Sequence, residues 1–140
     1  MARIQVVDDE EGVRKLFCII LRGAGHEAYP AEGGRDGVLE ALLRLSHGRP
    51  DDLLLTDLTM PKVNGLFMVT AMAYACCLPP RVIMVSGDFG DSDTIEKCRR
   101  EIGVLASLPS AKFDFLLLAK PISEVNLLEA VNTLLAGKVE

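Results

Sequence analysis

The chain reads as an α/β protein built on a doubly wound, five-stranded parallel sheet, and three observations predict this. Apolar runs of strand length alternate five times with segments of helical period. The run Leu53-Leu54-Leu55 is uninterrupted, as suits a central strand covered on both faces. Polar residues able to do chemistry recur where these runs end, and in such sheets ligands bind outside the carboxyl ends of the strands.

The first strand is predicted over Ile4 to Val7. The helix after it carries Val13, Leu16, Phe17, Ile20 and Leu21 at i, i+3, i+4, i+7, i+8, and Gly23 and Gly25 stop it. A short second strand, Glu27 to Ala31, contains Pro30, which cannot donate to a ladder and so belongs at a sheet edge. Its helix is expected from about Arg35 to Leu45 with Val38, Leu42 and Leu45 inward. The third strand, Leu53 to Thr56, closes at Asp57. After the Met60–Gly65 loop a helix is expected to reach about Cys77, where Leu78-Pro79-Pro80 prevents continuation. The fourth strand is Val82 to Val85. Asp91-Ser92-Asp93-Thr94 then supplies cap oxygens to a helix with Ile95, Cys98, Ile102 and Leu105 on one face. The fifth strand, Phe115 to Ala119, leads through Pro121 to a last helix bearing Val125, Leu128, Val131 and Leu135.

At 140 residues the expectation is a single domain spanning 1–140 with no output domain, large enough to bury a core without disulfides or structural metal. No apolar stretch approaches membrane-span length and no basic segment precedes a cleavable one, so a cytoplasmic protein without membrane contact is expected. Cys18, Cys76, Cys77 and Cys98 form no C-x-x-C pair, and His26 and His47 are the two histidines, which disfavours zinc or redox chemistry. A net charge of −5 argues against nucleic acid, since phosphate contacts need clustered cations. The one basic cluster, Lys97 with Arg99 and Arg100, reads as a solvated helix face.

Each strand ends in a polar group: Asp8 and Asp9 after the first, Asp57 after the third, Ser86 after the fourth, Lys120 after the fifth. Singly, each has a bland reading as a helix cap, a turn residue or a surface lysine. In a parallel sheet, however, these ends lie side by side and five separated positions become one site. Three carboxylates brought together resist ionisation unless a cation is present, and an all-oxygen donor set selects a hard ion, best Mg²⁺. With Lys120 and a hydroxyl opposite, this is equipment for phosphoryl transfer, with Asp57 as nucleophile.

The segments Val6-Val7-Asp8-Asp9-Glu10, Leu54 through Pro61 with Gly65, Val85-Ser86-Gly87 and Ala119-Lys120-Pro121 together resemble the receiver domain of bacterial two-component response regulators, over essentially the whole chain. The resemblance implies a flavodoxin-like sheet of order 2-1-3-4-5 and a phosphoprotein of phosphorelay signal transduction. It implies Asp57 as phosphoacceptor, with Asp9, Asp57 and the Thr59 carbonyl as direct Mg²⁺ ligands and Asp8 acting through metal-bound water. Ser86 would hydrogen-bond the phosphoryl group and Lys120 would pair with it. The donor would be a histidine kinase or a histidine phosphotransfer protein, and the output a switch in contacts with a downstream protein. Such a chain is not an enzyme in the ordinary sense, because it catalyses only its own phosphorylation and dephosphorylation.

Two departures bear on output. An aromatic residue commonly stands three before the lysine in this family, and here Leu117 does; Phe115 has the same strand parity one pleat earlier. The interval between Ser86 and Lys120 is also longer than usual, with the surplus between about Gly103 and Phe113. Gly103, Pro109 and Ser110 suggest an irregular stretch there rather than a continuous helix. Other readings fare worse. Gly33-Gly34-Arg35-Asp36-Gly37 lacks the P-loop spacing. A dehalogenase-type phosphatase needs a second acid where Thr59 stands. The remaining alternative is a degenerate receiver that binds partners without turning over phosphate.

Overall fold

The computed structural model describes residues 1–109 and 111–137. Strands β1 (Arg3–Val7), β2 (Glu27–Ala31), β3 (Leu53–Asp57), β4 (Arg81–Ser86) and β5 (Asp114–Ala119) alternate with helices α1 (Glu11–Gly23), α2 (Gly34–Ser46), α3 (Gly65–Tyr74), α4 (Ser92–Ala106) and α5 (Glu124–Leu135). A 3₁₀ turn, Gly87–Gly90, joins β4 to α4. The strands form one sheet in the order β2-β1-β3-β4-β5, every pairing parallel. The predicted fold and strand order are therefore those observed, with Pro30 on edge strand β2.

Side-chain alternation along the central strands divides the core in two. Ile4, Val6, Leu53, Leu55, Ile83 and Val85 face α1 and α5. Val7, Leu54, Val82, Met84 and Leu117 face the opposite way, toward α2, α3 and α4. Because both faces are covered, β3 is buried along its whole length, including Thr56 and Asp57.

Three helix faces differ from the periodicity reading. In α1 the buried positions are Phe17, Cys18 and Leu21, while Leu16 is exposed. In α2 they are Gly34, Gly37 and Ala41, and Leu45 faces out. In α5 they are Leu127, Ala130, Val131 and Leu134, and Val125 is 71% exposed. In α1 and α2 the cause is shared. Small residues and a cysteine let a helix approach the sheet closely, and a stripe of large apolar residues does not register that preference. The glycines of α2 make the point: a Cβ on Gly34 would overlap Val63, and one on Gly37 would press on the Met68 sulfur. The motif that fails as a phosphate loop is thus a seam for packing α2 against the α3 side.

Helix α3 ends at Tyr74 rather than near Cys77, because Cys76 takes a left-handed conformation (φ 58°) and the Cys77 N–H returns to the Met72 carbonyl. Helix α4 runs through Gly103 to Ala106, so the expected irregular stretch starts only at Ser107 and not at Gly103; Ser110 lies outside the described residues. Beyond it Ala111 and Phe113 are buried, and Phe113 packs against Phe115 with ring centroids 6.2 Å apart. No helix among the described residues is long and apolar enough to cross a membrane.

The loop between α2 and β3 is tied by a two-pronged ion pair. Arg44 Nε meets Asp51 Oδ1 at 2.6 Å and a terminal nitrogen meets Oδ2 at 2.9 Å, while the guanidinium lies 4.5 Å from the Tyr29 ring centroid. The Asp51 carboxylate is buried, so removing it leaves the largely buried Arg44 guanidinium with only the exposed Glu40 carboxylate, 3.4 Å from its other terminal nitrogen, as counter-charge. Asp51→Ala is expected to cost about 3 kcal/mol in urea unfolding, and Asp51→Asn, which keeps one acceptor, less.

Candidate functional site

Register brings the strand ends together. Val7 pairs with Thr56, Asp57 with Val85 and Ser86 with Ala119, so the residues that follow lie along one edge of the sheet. Backbone bonds extend this alignment past the strands, from Asp8 N to the Ala31 carbonyl, Leu58 N to the Val85 carbonyl and Lys120 N to the Ser86 carbonyl. Asp8, Asp9 and Asp57 each present an oxygen such that all three lie within 4.8 Å of one another. Lys120 Nζ reaches Asp8 Oδ2 at 3.1 Å and Asp57 Oδ2 at 3.4 Å.

The bland alternatives can be weighed against these contacts. Asp8 is 1% exposed; its Oδ1 accepts the Glu10 N–H at 2.9 Å, but Glu10 is the residue preceding α1, so Asp8 is no helix cap. Its other oxygen is held by Lys120. Asp9 is exposed beside it, open to solvent and to a ligand. Lys120 is partly buried and turned into the site, not a surface lysine. Ser86 is buried and does act as a turn residue, because its Oγ accepts the Asp88 N–H at 3.1 Å. Thr59 sits at the exposed rim, where its backbone N–H acts in a small way to lower the Asp57 carboxyl.

The loop after β3 is folded tightly onto Asp57. Gly65 N donates to the Leu58 carbonyl at 2.8 Å, and a Cβ on Gly65 would collide with the Asp57 carbonyl oxygen. Glycine is needed there because backbone meets backbone. Thr56 Oγ1 adds a bond to the same Asp57 carbonyl at 2.9 Å. Asp57 is thereby fixed at its main chain while its carboxylate stays among charged groups. Two residues escaped sequence reasoning. The Thr56 hydroxyl read only as the strand's end. Phe89, buried on the 3₁₀ turn next to Ser86, gave a signal in its isolation between Gly87 and Gly90.

Burial pushes the Asp57 carboxyl above its ordinary value; Lys120 opposes this and the Asp8 charge adds to it. For Lys120, burial works against the charged form, but bonds and attraction from Asp8 and Asp57 outweigh it and raise its pKa. Three acids facing one lysine leave surplus negative charge on hard oxygen donors. That arrangement suits a divalent cation of the Mg²⁺ kind.

Comparisons with known proteins identify the family and the fold. Residues 4–132 match the family model described as the response regulator receiver domain. The chain is 31% identical to protein PilH of Pseudomonas aeruginosa, over 98% of this chain and 100% of that one. It is 30% identical to sporulation initiation phosphotransferase F of Bacillus subtilis, over 74% of this chain and 77% of that one. A crystal structure of a response regulator receiver domain protein from Clostridium thermocellum superposes with a TM-score of 0.73 at 24% identity, covering 99% of this chain and 97% of that one, and shows the shared fold.

The raised Asp57 value carries a stability consequence in metal-free protein. A carboxyl whose folded pKa lies above its unfolded one contributes fully below the unfolded value, and that contribution is lost as pH rises through the folded value. Metal-free Asp57→Asn is therefore expected to be more stable than the wild type at neutral pH. The gap should close as pH falls below the ordinary aspartate range, and urea unfolding at stepped pH without divalent ions reads both limbs.

Proposed function

The chain belongs to the response-regulator receiver family, and on that premise we propose that it is a Mg²⁺-dependent phosphoacceptor in which Asp57 takes a phosphoryl group from a phosphohistidine. The single observation that carries the reading is the convergence of Asp8, Asp9 and Asp57 within 4.8 Å, with Lys120 bonded across Asp8 and Asp57.

An Asp57 carboxylate oxygen forms the new bond to phosphorus as the P–N bond of the donor breaks and its electron pair returns to the imidazole. Asp57 suits this role because its backbone is clamped by Gly65 and Thr56 while its carboxylate faces the open rim. Lys120 offsets charge gathering on the phosphoryl oxygens. The Ser86 hydroxyl, at the end of the neighbouring strand, donates to one of them. Asp9, Asp57 and the Thr59 carbonyl would hold Mg²⁺ directly and Asp8 through water; bound there, the ion supplies neutralisation of phosphoryl oxygen charge. Hydrolysis returns Asp57 to its free state, so the chain promotes only its own phosphorylation and dephosphorylation.

The donor class is a histidine kinase or histidine phosphotransfer protein, and the consequence is altered contact with a protein partner, in the cytoplasm. A degenerate, phosphorylation-independent receiver is disfavoured, since acids, hydroxyl and lysine are all present and the buried ones face one another. With Mg²⁺ and a small phosphodonor such as acetyl phosphate, one acid-labile phosphoryl group is expected on Asp57 by mass spectrometry. Asp57→Asn should abolish it, and Lys120→Ala should slow it on the order of 100-fold, as removal of one preorganised charge-stabilising group does elsewhere. Equal labelling of Asp57→Asn would sink the reading.

A further inference from the structure

Large apolar side chains reach the surface on every described helix, but α3 alone among them carries no charged residue. On α1, Leu16 and Ile19 lie between Lys15 and Arg22; on α4, Val104 follows Arg100 and Glu101; on α5, Val125 follows Glu124. A helix apolar all round is ordinarily buried all round. In α3 the sheet takes Met68, Val69 and Met72, while Phe67 is left 65% exposed and Tyr74 82%, two turns apart and so on one face. Neighbouring α2 turns outward Leu39, 55% exposed, and Leu43, 53%, one turn apart. Val38 and Leu42, partly buried on the same core as Met68 and Met72, fill the join between the two pairs. The charges of α2 border this face: Arg35 and Asp36 stand at its amino end, and Glu40 lies on the flank where it pairs with Arg44.

We propose that the α2–α3 face is where a second copy of this chain docks, in a two-fold dimer centred among Leu39, Leu43, Phe67 and Tyr74. None of these residues belongs to the acid, hydroxyl and lysine site, so docking here does not depend on phosphate chemistry. A two-fold axis sets the patch against its own image, so apolar surface meets apolar surface and the border, which carries both signs, pairs around the rim. A strongly charged partner would be answered by clustered opposite charge, and α3 offers none. Elsewhere two chains of net charge −5 repel, which makes the charge-free face the least opposed line of approach. The four side chains leave on the order of 500 Å² open per copy, at the upper end of what a monomer exposes. That falls short of the roughly 800 Å² per partner of a long-lived complex, so the dimer is a reversible one in the micromolar range.

Sedimentation velocity on the full chain, without phosphodonor, from about 5 to about 500 µM tests this. The sedimentation coefficient is expected to rise with concentration and to level off at that of a dimer. Phe67→Asp and Leu43→Lys are the informative variants. A carboxylate in the first turn of α3 and an ammonium in the last turn of α2 both suit the helix dipole, and the Phe67 N–H keeps its bond to Asn64 Oδ1. Measured below the association range, their urea midpoints should stay close to the wild-type value, while each raises the dimer dissociation constant about tenfold or more. Val125→Asp, at a comparably exposed apolar position on α5, should leave association unchanged. A wild-type chain that stays monomeric throughout the range would overturn the dimer, as would open-ended growth beyond two copies. Association that survives both Phe67→Asp and Leu43→Lys would remove it from the α2–α3 face and overturn the proposal equally.

Discussion

One lysine facing more acid than it can neutralise governs the carboxyl edge of this sheet. A pair of unit charges about 4 Å apart attracts by about 4 kcal/mol at an effective dielectric near 20, and Lys120 shares its single charge between Asp8 and Asp57. Asp9 stands beside them with no compensation from Lys120 among the bonds described. The result is a cluster that burial and mutual repulsion make costly to ionise, visible in the raised Asp57 value. Such a site is poised to accept positive charge. The same surplus explains why the residues that hold the site are backbone-clamped: a loosely held cluster would relieve its repulsion by moving apart.

The clamps come from the fold. Parallel register sets Asp8, Asp57, Ser86 and Lys120 on neighbouring strands, and backbone bonds carry the alignment one residue beyond each strand. Gly65 allows the loop after β3 to return against Asp57. Both faces of the sheet are packed, so β3 cannot shift without opening two core layers at once.

At the end of β4 the chemistry and the packing meet in one residue. Ser86 ends a strand beside the one that ends in Asp57 and caps a turn, and the turn it caps leads without interruption into α4. The strand next to it, β5, offers Leu117 where relatives in this family carry an aromatic, and the buried ring nearest in sequence to the site stands instead on the turn, at Phe89. The extra residues after α4 are partly spent on Ala111 and Phe113, which are buried. They therefore extend the core beneath β5 as well as lengthening the connection.

The amino-acid sequence by itself determined the number and order of the elements, the parallel sheet and the residues of the acid, hydroxyl and lysine set. It could do so because a fully buried strand needs an unbroken apolar run, as at Leu53 to Leu55, and because polar groups at strand ends are conspicuous against such runs. The receiver resemblance carried the strand order and the individual roles. Tertiary structure alone decided which helical faces turn inward, as Leu16 and Leu45 show, since Gly34, Gly37, Ala41 and Cys18 win the close positions by small size rather than by apolar bulk. It alone decided that Gly103 continues α4, where burial of Ile102 and Leu105 outweighs glycine's weak helix preference. And it alone revealed that the Ser86 hydroxyl already holds the turn carrying Phe89, because a hydrogen bond from a side chain to a backbone amide two residues on leaves no periodic trace in a sequence.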